Sequence, residues 1–301
     1  MNHKAFAVAK SWVGSGSGGA GTDFNTGANW NPAGVPGAGD DVTIAMTSAG
    51  TCSLSANVTV NNFTMTVTNN NLGVFDVQTS IITINGTTVT NAIMGFDELD
   101  FVIEATGAGA IFKGPATFHT TGNGVTLVYG SGATHGSMTF FSDLTIGVNG
   151  RTSPGTEPNM FFDAPVSQTI TVNNTLTLFL GQNLTFGVTN SPTVTFAGAP
   201  NPDWFGVYDG GLSINNSTIV QANNDNLPRY SGGGVGTFAM SAGSRLEINS
   251  TFPFPGFDAG SGFAVQQYPT YSLNPTSTTI YLGTASAQTV TGLTYGHLIS
   301  G

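Results

Sequence analysis

The sequence predicts an all-β fold, a right-handed parallel β-helix, on three observations: scarce charge, short alternating strings and internal repetition. Only 7% of the 301 residues are Asp, Glu, Lys or Arg, while Gly alone fills 42 positions. An average soluble domain carries about a quarter charged residues. Thr, Ser, Asn and Val replace the charges in strings such as Thr83-Ile84-Asn85-Gly86-Thr87-Thr88-Val89-Thr90. Their period of two is that of a half-buried strand. No segment keeps helical spacing of apolar residues beyond about two turns, which argues against a crossover-helix fold. An apolar share of 39%, with 21 Phe, is enough to build a core.

Taken in order, residues 1–10 read as a leader or the remnant of a removed signal, since they contain Lys4 but no apolar run of signal length. Residues 11–43 are Gly-rich and carry Trp12, Phe24 and Trp30, closed by Pro32 and Pro36. They are expected to cap the first coil, because a stack of strands exposes an apolar end layer and each ring can bury about 150–250 Å². Asp40-Asp41 then switches abruptly to strand pattern, and residues 44–301 form the solenoid. Strands are expected at 42–46, 57–60, 63–68, 73–77, 81–84, 87–90, 99–104, 110–113, 116–119, 125–129, 138–141 and 144–147. Further strands are expected at 160–162, 168–172, 175–179, 183–188, 193–196, 212–214, 218–221, 236–240, 245–248, 279–282, 288–291 and 295–299. Irregular loop insertions are expected at 149–160, 198–211, 222–236 and 252–276.

Repetition selects the solenoid over a sandwich. Asn61-Asn62, Asn173-Asn174 and Asn215-Asn216 each sit between two short strands, as corners would. Asn tolerates left-handed backbone, and Asn side chains on successive coils can hydrogen-bond along the axis. The unit from Thr126 to Ile146 and that from Thr279 to Ile299 share one order of parts, which runs strand, Gly-small turn, strand, aromatic, polar residues and Leu-x-Ile. Coils of about 20 to 28 residues follow.

Trp12-x-Gly14, Phe24, Asn29-Trp30, Val35-Pro36 and Asp40-Asp41-Val42-Thr43-Ile44 resemble the opening of very large secreted surface proteins of gliding Bacteroidetes. The ending Tyr295-Gly296-His297-Leu298-Ile299-Ser300-Gly301 is similar to their recurrent rung. That family includes gliding adhesins exported by type IX secretion. The resemblance covers about 35 residues at the start and short rungs elsewhere. It implies a secreted, non-enzymatic adhesive or structural filament on a bacterial cell surface. The sorting domain of such cargo is not seen up to residue 301, so the resemblance implies the N-terminal part of a longer solenoid.

Composition narrows the chemistry. The formal charge is −10, from 16 acidic and 6 basic residues, so no basic stripe is available for nucleic acid or an anionic membrane surface. No run approaches the roughly 18 apolar residues of a membrane helix. Cys52 is the sole cysteine, which excludes an internal disulfide framework and is read as a small buried hydrophobe. No catalytic residues are predicted. The four His are far apart, and Gly14-Ser15-Gly16-Ser17-Gly18 lies in a spacer with no following helix.

Acids cluster at Asp97, Glu98, Asp100 and Glu104. They read as a solvated face, with Asp97, Glu98 and Asp100 the residues that could take calcium; no cofactor is predicted. The alternative function is a carbohydrate-active β-helix enzyme, a polysaccharide hydrolase or lyase. A hydrolase needs paired carboxylates about 5–10 Å apart, and a lyase needs cations that this chain hardly has. The partner expected is an extracellular surface or glycan. Trp204, Tyr208, Phe257, Tyr268 and Tyr271 are the carbohydrate-binding candidates, since an aromatic face matches the apolar face of a sugar ring. An ice-binding reading of the Thr-rich strands requires equal coils, and these vary.

Overall fold

The computed structural model describes residues 7–69, 71–92, 98–103, 105, 107–120, 125–129, 136–147, 159–172, 178–181, 183–198, 205–208, 211–221, 229–231, 236–249, 268–282 and 294–300. These residues form strands and turns with one 3-10 turn at Gly27–Asn29. The strands stack in parallel sheets as a β-solenoid. The chain divides into two compact units, Met1–Pro158 and Asn159–Gly301.

In the first unit four successive coils, among the described residues, each give one strand to each of three parallel sheets. The first sheet runs Ala9–Trp12, Asp41–Met46, Phe63–Val67, Thr88–Ala92, Ala116–Thr120 and Leu144–Gly147. The second holds Gly50–Ser53, Leu72–Asp76, Glu98–Val102 and Val125–Tyr129, and the third Val58–Val60, Ile81–Ile84, Gly109–Phe112 and Ser137–Phe140. Alternation decides which side chains go in. Val42, Ile44 and Met46 are buried while Thr43 and Ala45 face out.

The inward residues of successive coils lie in register, as in the column Ile44, Met65, Thr90, Phe118, Ile146. Rings continue the core within and between coils. Phe63 meets Phe75 at 4.9 Å, Phe75 meets Phe101 at 5.1 Å, and Phe112 stacks on Phe140 at 4.8 Å. Each such pair adds about 0.5–1.5 kcal/mol beyond its buried area.

Strand Thr88–Ala92 runs against its own local pattern. Val89 points outward, 38% exposed, while Thr88 and Thr90 are buried and their hydroxyls have no hydrogen-bond partner among the described residues. Pairing with Phe63–Val67 on one side and Ala116–Thr120 on the other sets the register. A slip of one residue would turn every side chain of the strand over.

The opening segment covers the first coil. Trp30–Asn31 pairs antiparallel with Ala9–Trp12. Trp12, Phe24 and Trp30 are all buried, with Trp30 packed edge-on against Trp12 at 5.2 Å and against Phe24 at 4.7 Å. Phe24 in turn touches Phe75 of the second coil at 6.2 Å. Both indoles keep a hydrogen bond while buried: Trp12 Nε1 donates to Ser15 O at 2.9 Å and Trp30 Nε1 to Phe24 O at 2.7 Å. Strand Ala9–Trp12 overlaps the last two residues of the stretch read as a leader. Lys10 is part of the strand, buried, with Nζ donating to the carbonyls of Pro32 and Ala33.

Asn corners tie coil to coil. Asn61 Nδ2 and Asn62 Nδ2 both donate to Asp41 Oδ1 at 2.8 Å, and Asn62 Oδ1 accepts from Thr87 N at 2.7 Å. These bonds span 21 residues from Asp41 to Asn62 and 25 from Asn62 to Thr87. Asn216 takes the left-handed conformation, with φ 46°. Asn61 and Asn62 do not, so there the side-chain ladder, not the backbone, explains the residue type.

The second unit repeats the plan. Its largest sheet runs Gln168–Val172, Thr193–Gly198, Thr218–Gln221, Arg245–Ile248, Thr278–Tyr281 and His297–Ser300. A second holds Asn159–Phe162, Leu184–Phe186, Leu212–Ile214, Thr237–Met240 and Thr270–Leu273, and a third Leu178–Gly181, Phe205–Tyr208 and Arg229–Ser231. Three stretches expected as loop insertions thus contain rung strands: Phe205–Tyr208, Arg229–Ser231 and Thr270–Leu273. Gly, Asn and Pro around these short strands mask their alternation. The expected strand at 288–291 lies outside the described residues.

Candidate functional site

The first sheet of the first unit turns two columns of side chains to solvent. Pairing places Thr43 beside Thr64, Thr64 beside Val89, Val89 beside Thr117 and Thr117 beside Thr145. Two residues further along each strand, Ala45, Thr66, Asn91 and His119 form the second column. Neighbours in a column are about 4.8 Å apart and the columns about 6.6–6.8 Å apart, the spacings of a pleated sheet.

The face carries hydroxyls, one amide and one imidazole, with no Asp, Glu, Lys or Arg in either column. Hydroxyl groups both donate and accept. A rigid sheet presents them without the ordering cost that a loop would incur. The matching columns of the second unit are less uniform. There Thr169, Thr195 and Val220 lead to Glu247, which pairs with Arg245 beside Thr218.

The residues singled out from sequence fall in several places. Tyr268 is buried, 2% exposed, with its ring edge-on to Phe238 at 5.4 Å. Tyr271 is half-buried, with its ring 6.4 Å from that of Tyr268. Burial first, and Tyr295 second, push the Tyr271 phenol up to about 12. Packed in this way, Tyr268 offers no ring face to a sugar, which corrects its reading as an open platform: the ring serves the core between two strands. Tyr208 ends strand Phe205–Tyr208. Trp204 and Phe257 lie outside the described residues.

Of the acids offered for calcium, Asp100 is buried at 4% exposure on strand Glu98–Val102, which Glu98 begins. Asp97 lies outside the described residues. No three His, Cys, Asp or Glu residues converge among the described residues.

Two polar sites escaped sequence reading. Asp23 accepts from Thr26 Oγ1 at 2.7 Å, Ser55 Oγ at 2.8 Å and Asn25 N at 3.0 Å, tying the opening segment to the first coil. Asp163 is buried and receives a whole turn of the next coil. Asp163 has no local signal, because its partners lie 25–27 residues further on; Asp23 closes a local turn with Asn25 and Thr26, and only its bond to Ser55 is distant. Cys52 is fully buried, and burial, then the nearby Asp23 charge, pushes its thiol well above the ordinary range. That disfavours the thiolate and with it nucleophilic chemistry.

Comparison with known proteins gives no match to this chain among protein-family profiles, curated proteins or solved structures.

Proposed function

We propose that this chain is a non-enzymatic, secreted adhesive or structural β-solenoid of a bacterial cell surface, and that the outward Thr, Asn and His columns of the first unit meet a neutral glycan. One observation carries the proposal: Thr43, Thr64, Thr117 and Thr145 stand in register on one sheet face, in a column without Asp, Glu, Lys or Arg. Repeated hydroxyls at fixed spacing suit a ligand that is itself repetitive, polar and uncharged. Weak contacts then add along its length. The gliding-adhesin and type IX export parts of the proposal rest on the resemblance of the Trp12-to-Ile44 opening.

A glycan array combined with a polysaccharide degradation panel tests it. Binding to neutral glycans is expected, weakened at least about tenfold, or about 1.4 kcal/mol, by the double variant Thr64→Lys/Thr117→Lys. Lysine there puts charge on the face without entering the core. New reducing ends or unsaturated products would establish the carbohydrate-active enzyme instead. A blank array would overturn the glycan partner.

A further inference from the structure

Thr43, Thr64, Val89, Thr117 and Thr145 follow one another across five strands of the first unit without a register shift. The column therefore runs across the strands, along the axis of that unit's coils, and spans about 19 Å at the spacing of a parallel sheet. Thr66, Asn91 and His119 stand beside it, two residues further along their strands. On each strand the residue between the columns turns inward, as Ile44, Met65 and Phe118 do. A strip of main chain about 6.6–6.8 Å wide thus separates the columns.

Linkage decides which glycans fit such a track. A β-1,4-linked chain of pyranoses is an extended ribbon: each sugar advances it by nearly one strand spacing, and equatorial hydroxyls project from both edges. Laid along the strip, it meets one coil per sugar. One edge then faces the threonine column and the other faces Thr66, Asn91 and His119. Hydroxyl and amide side chains both donate and accept, so sugar hydroxyls of either orientation are served. Val89, 38% exposed in the middle of its column, offers methyl groups to the C–H face of one ring.

Other chains fit less well. An α-1,4-linked chain coils and leaves a straight column within a few sugars. An α-1,6 linkage adds a rotatable bond at every sugar, so alignment costs more freedom. Polyanions are disfavoured too, since neither column holds Lys or Arg and the whole chain carries a charge of −10.

Building on the neutral-glycan reading, on which this rests, we propose that the ligand is an extended, neutral β-1,4-linked glycan aligned with the axis of the first unit, one sugar to each coil. About five sugars fill the track from Thr43 to Thr145 at the strand spacing.

Affinity electrophoresis of the 301-residue chain tests the linkage, in gels containing soluble glucomannan, neutral and β-1,4-linked, or pullulan, neutral and α-linked. Retardation by glucomannan alone is expected, measured against a polymer-free gel. Alignment is read from the two ends of the column. Thr43→Lys and Thr145→Lys should each weaken retardation at least about threefold, since each removes one contact of a series. Thr83→Lys, on the outward side of the third sheet, should bind as the wild type does. Far-UV spectra of all three variants should match the wild type. Equal or stronger retardation by pullulan would overturn the linkage and leave the neutral-glycan reading in place. No retardation by either polymer would overturn the linkage, and with a blank glycan array the neutral-glycan reading as well. Loss in Thr64→Lys/Thr117→Lys with Thr43→Lys and Thr145→Lys unaffected, or loss in Thr83→Lys, would overturn the alignment.

Discussion

The carboxylate of Asp163 holds Thr189 at two groups, Oδ2 accepting from the hydroxyl at 2.6 Å, and Oδ1 and Oδ2 sharing the backbone N–H at 3.0 and 3.2 Å. Val188 N and Asn190 N donate to the same Oδ1 at 2.7 and 2.9 Å. Thr189 is 26 residues further on, so one buried side chain fixes the corner of the following coil. Its own main chain joins in, since Asn190 Nδ2 donates to Asp163 O at 2.7 Å.

Burial alone would push the Asp163 carboxyl up. The Thr189 hydroxyl, then the N–H groups of Val188, Asn190 and Thr189, together outweigh it and hold the carboxyl below the ordinary Asp range. A depressed native pKa contributes stability that is complete above the unfolded value, near 3.9, and is lost as pH falls through the native one. Asp163→Asn should therefore cost about 2 kcal/mol at neutral pH. The gap between variant and wild type should narrow in urea titrations at about pH 2.5. An equal gap at both pH values would mean that the charge contributes nothing.

Thr88 and Thr90 sit inside the core with hydroxyls unpartnered among the described residues. Valine has nearly the same shape without the polar atom. Each of Thr88→Val and Thr90→Val should stabilise by about 1 kcal/mol, the lower part of the cost of burying an unsatisfied group. Thermal unfolding should rise by about 2–4 °C per substitution. Val89→Thr should leave the midpoint nearly unchanged and fill the break between Thr64 and Thr117 in the outward column.

Much of this fold was legible in the sequence, and the failures have a common physical cause. Val42-Thr43-Ile44 and Phe63-Thr64-Met65 announce buried and exposed faces through their own alternation. Thr88-Val89-Thr90 announces the opposite of what forms, because its register is imposed by strands about a coil away in sequence. Trp12, Phe24 and Trp30 could be named as cap residues from their bulk in a Gly-rich segment. Asp23 and Asp163 could not, since what each binds one coil away is invisible to a local reading. The outward threonine column was likewise hidden, because coils of unequal length conceal which threonines become neighbours.

Cys52 gives a probe of opening in the first unit. Its thiol is buried, with its pKa raised by that burial. Alkylation by iodoacetamide at pH 8 should be negligible in the native state and should appear in step with loss of the strand signal in urea. Fast labelling of native protein would show that the first coil opens independently of global unfolding.

Trp30 is the residue on which closure of the first coil depends most, since it touches both Trp12 and Phe24 and bonds the latter's carbonyl. Trp30→Ala removes one of the two indoles of the cap and should cost about 3–5 kcal/mol. Trp30→Phe retains an aromatic ring but leaves the Phe24 carbonyl without its indole donor, for a cost of about 1–3 kcal/mol. Trp12→Ala combined with Trp30→Ala should lose less than the sum of the single effects, by about 0.5–1.5 kcal/mol, because the edge-on contact can be lost only once. Far-UV circular dichroism of urea unfolding follows this in all three variants, because the strand signal does not depend on the indoles that are replaced. Additive costs would mean that the two rings are buried side by side without supporting each other, and the cap would then be a covering rather than a cooperative part of the first coil.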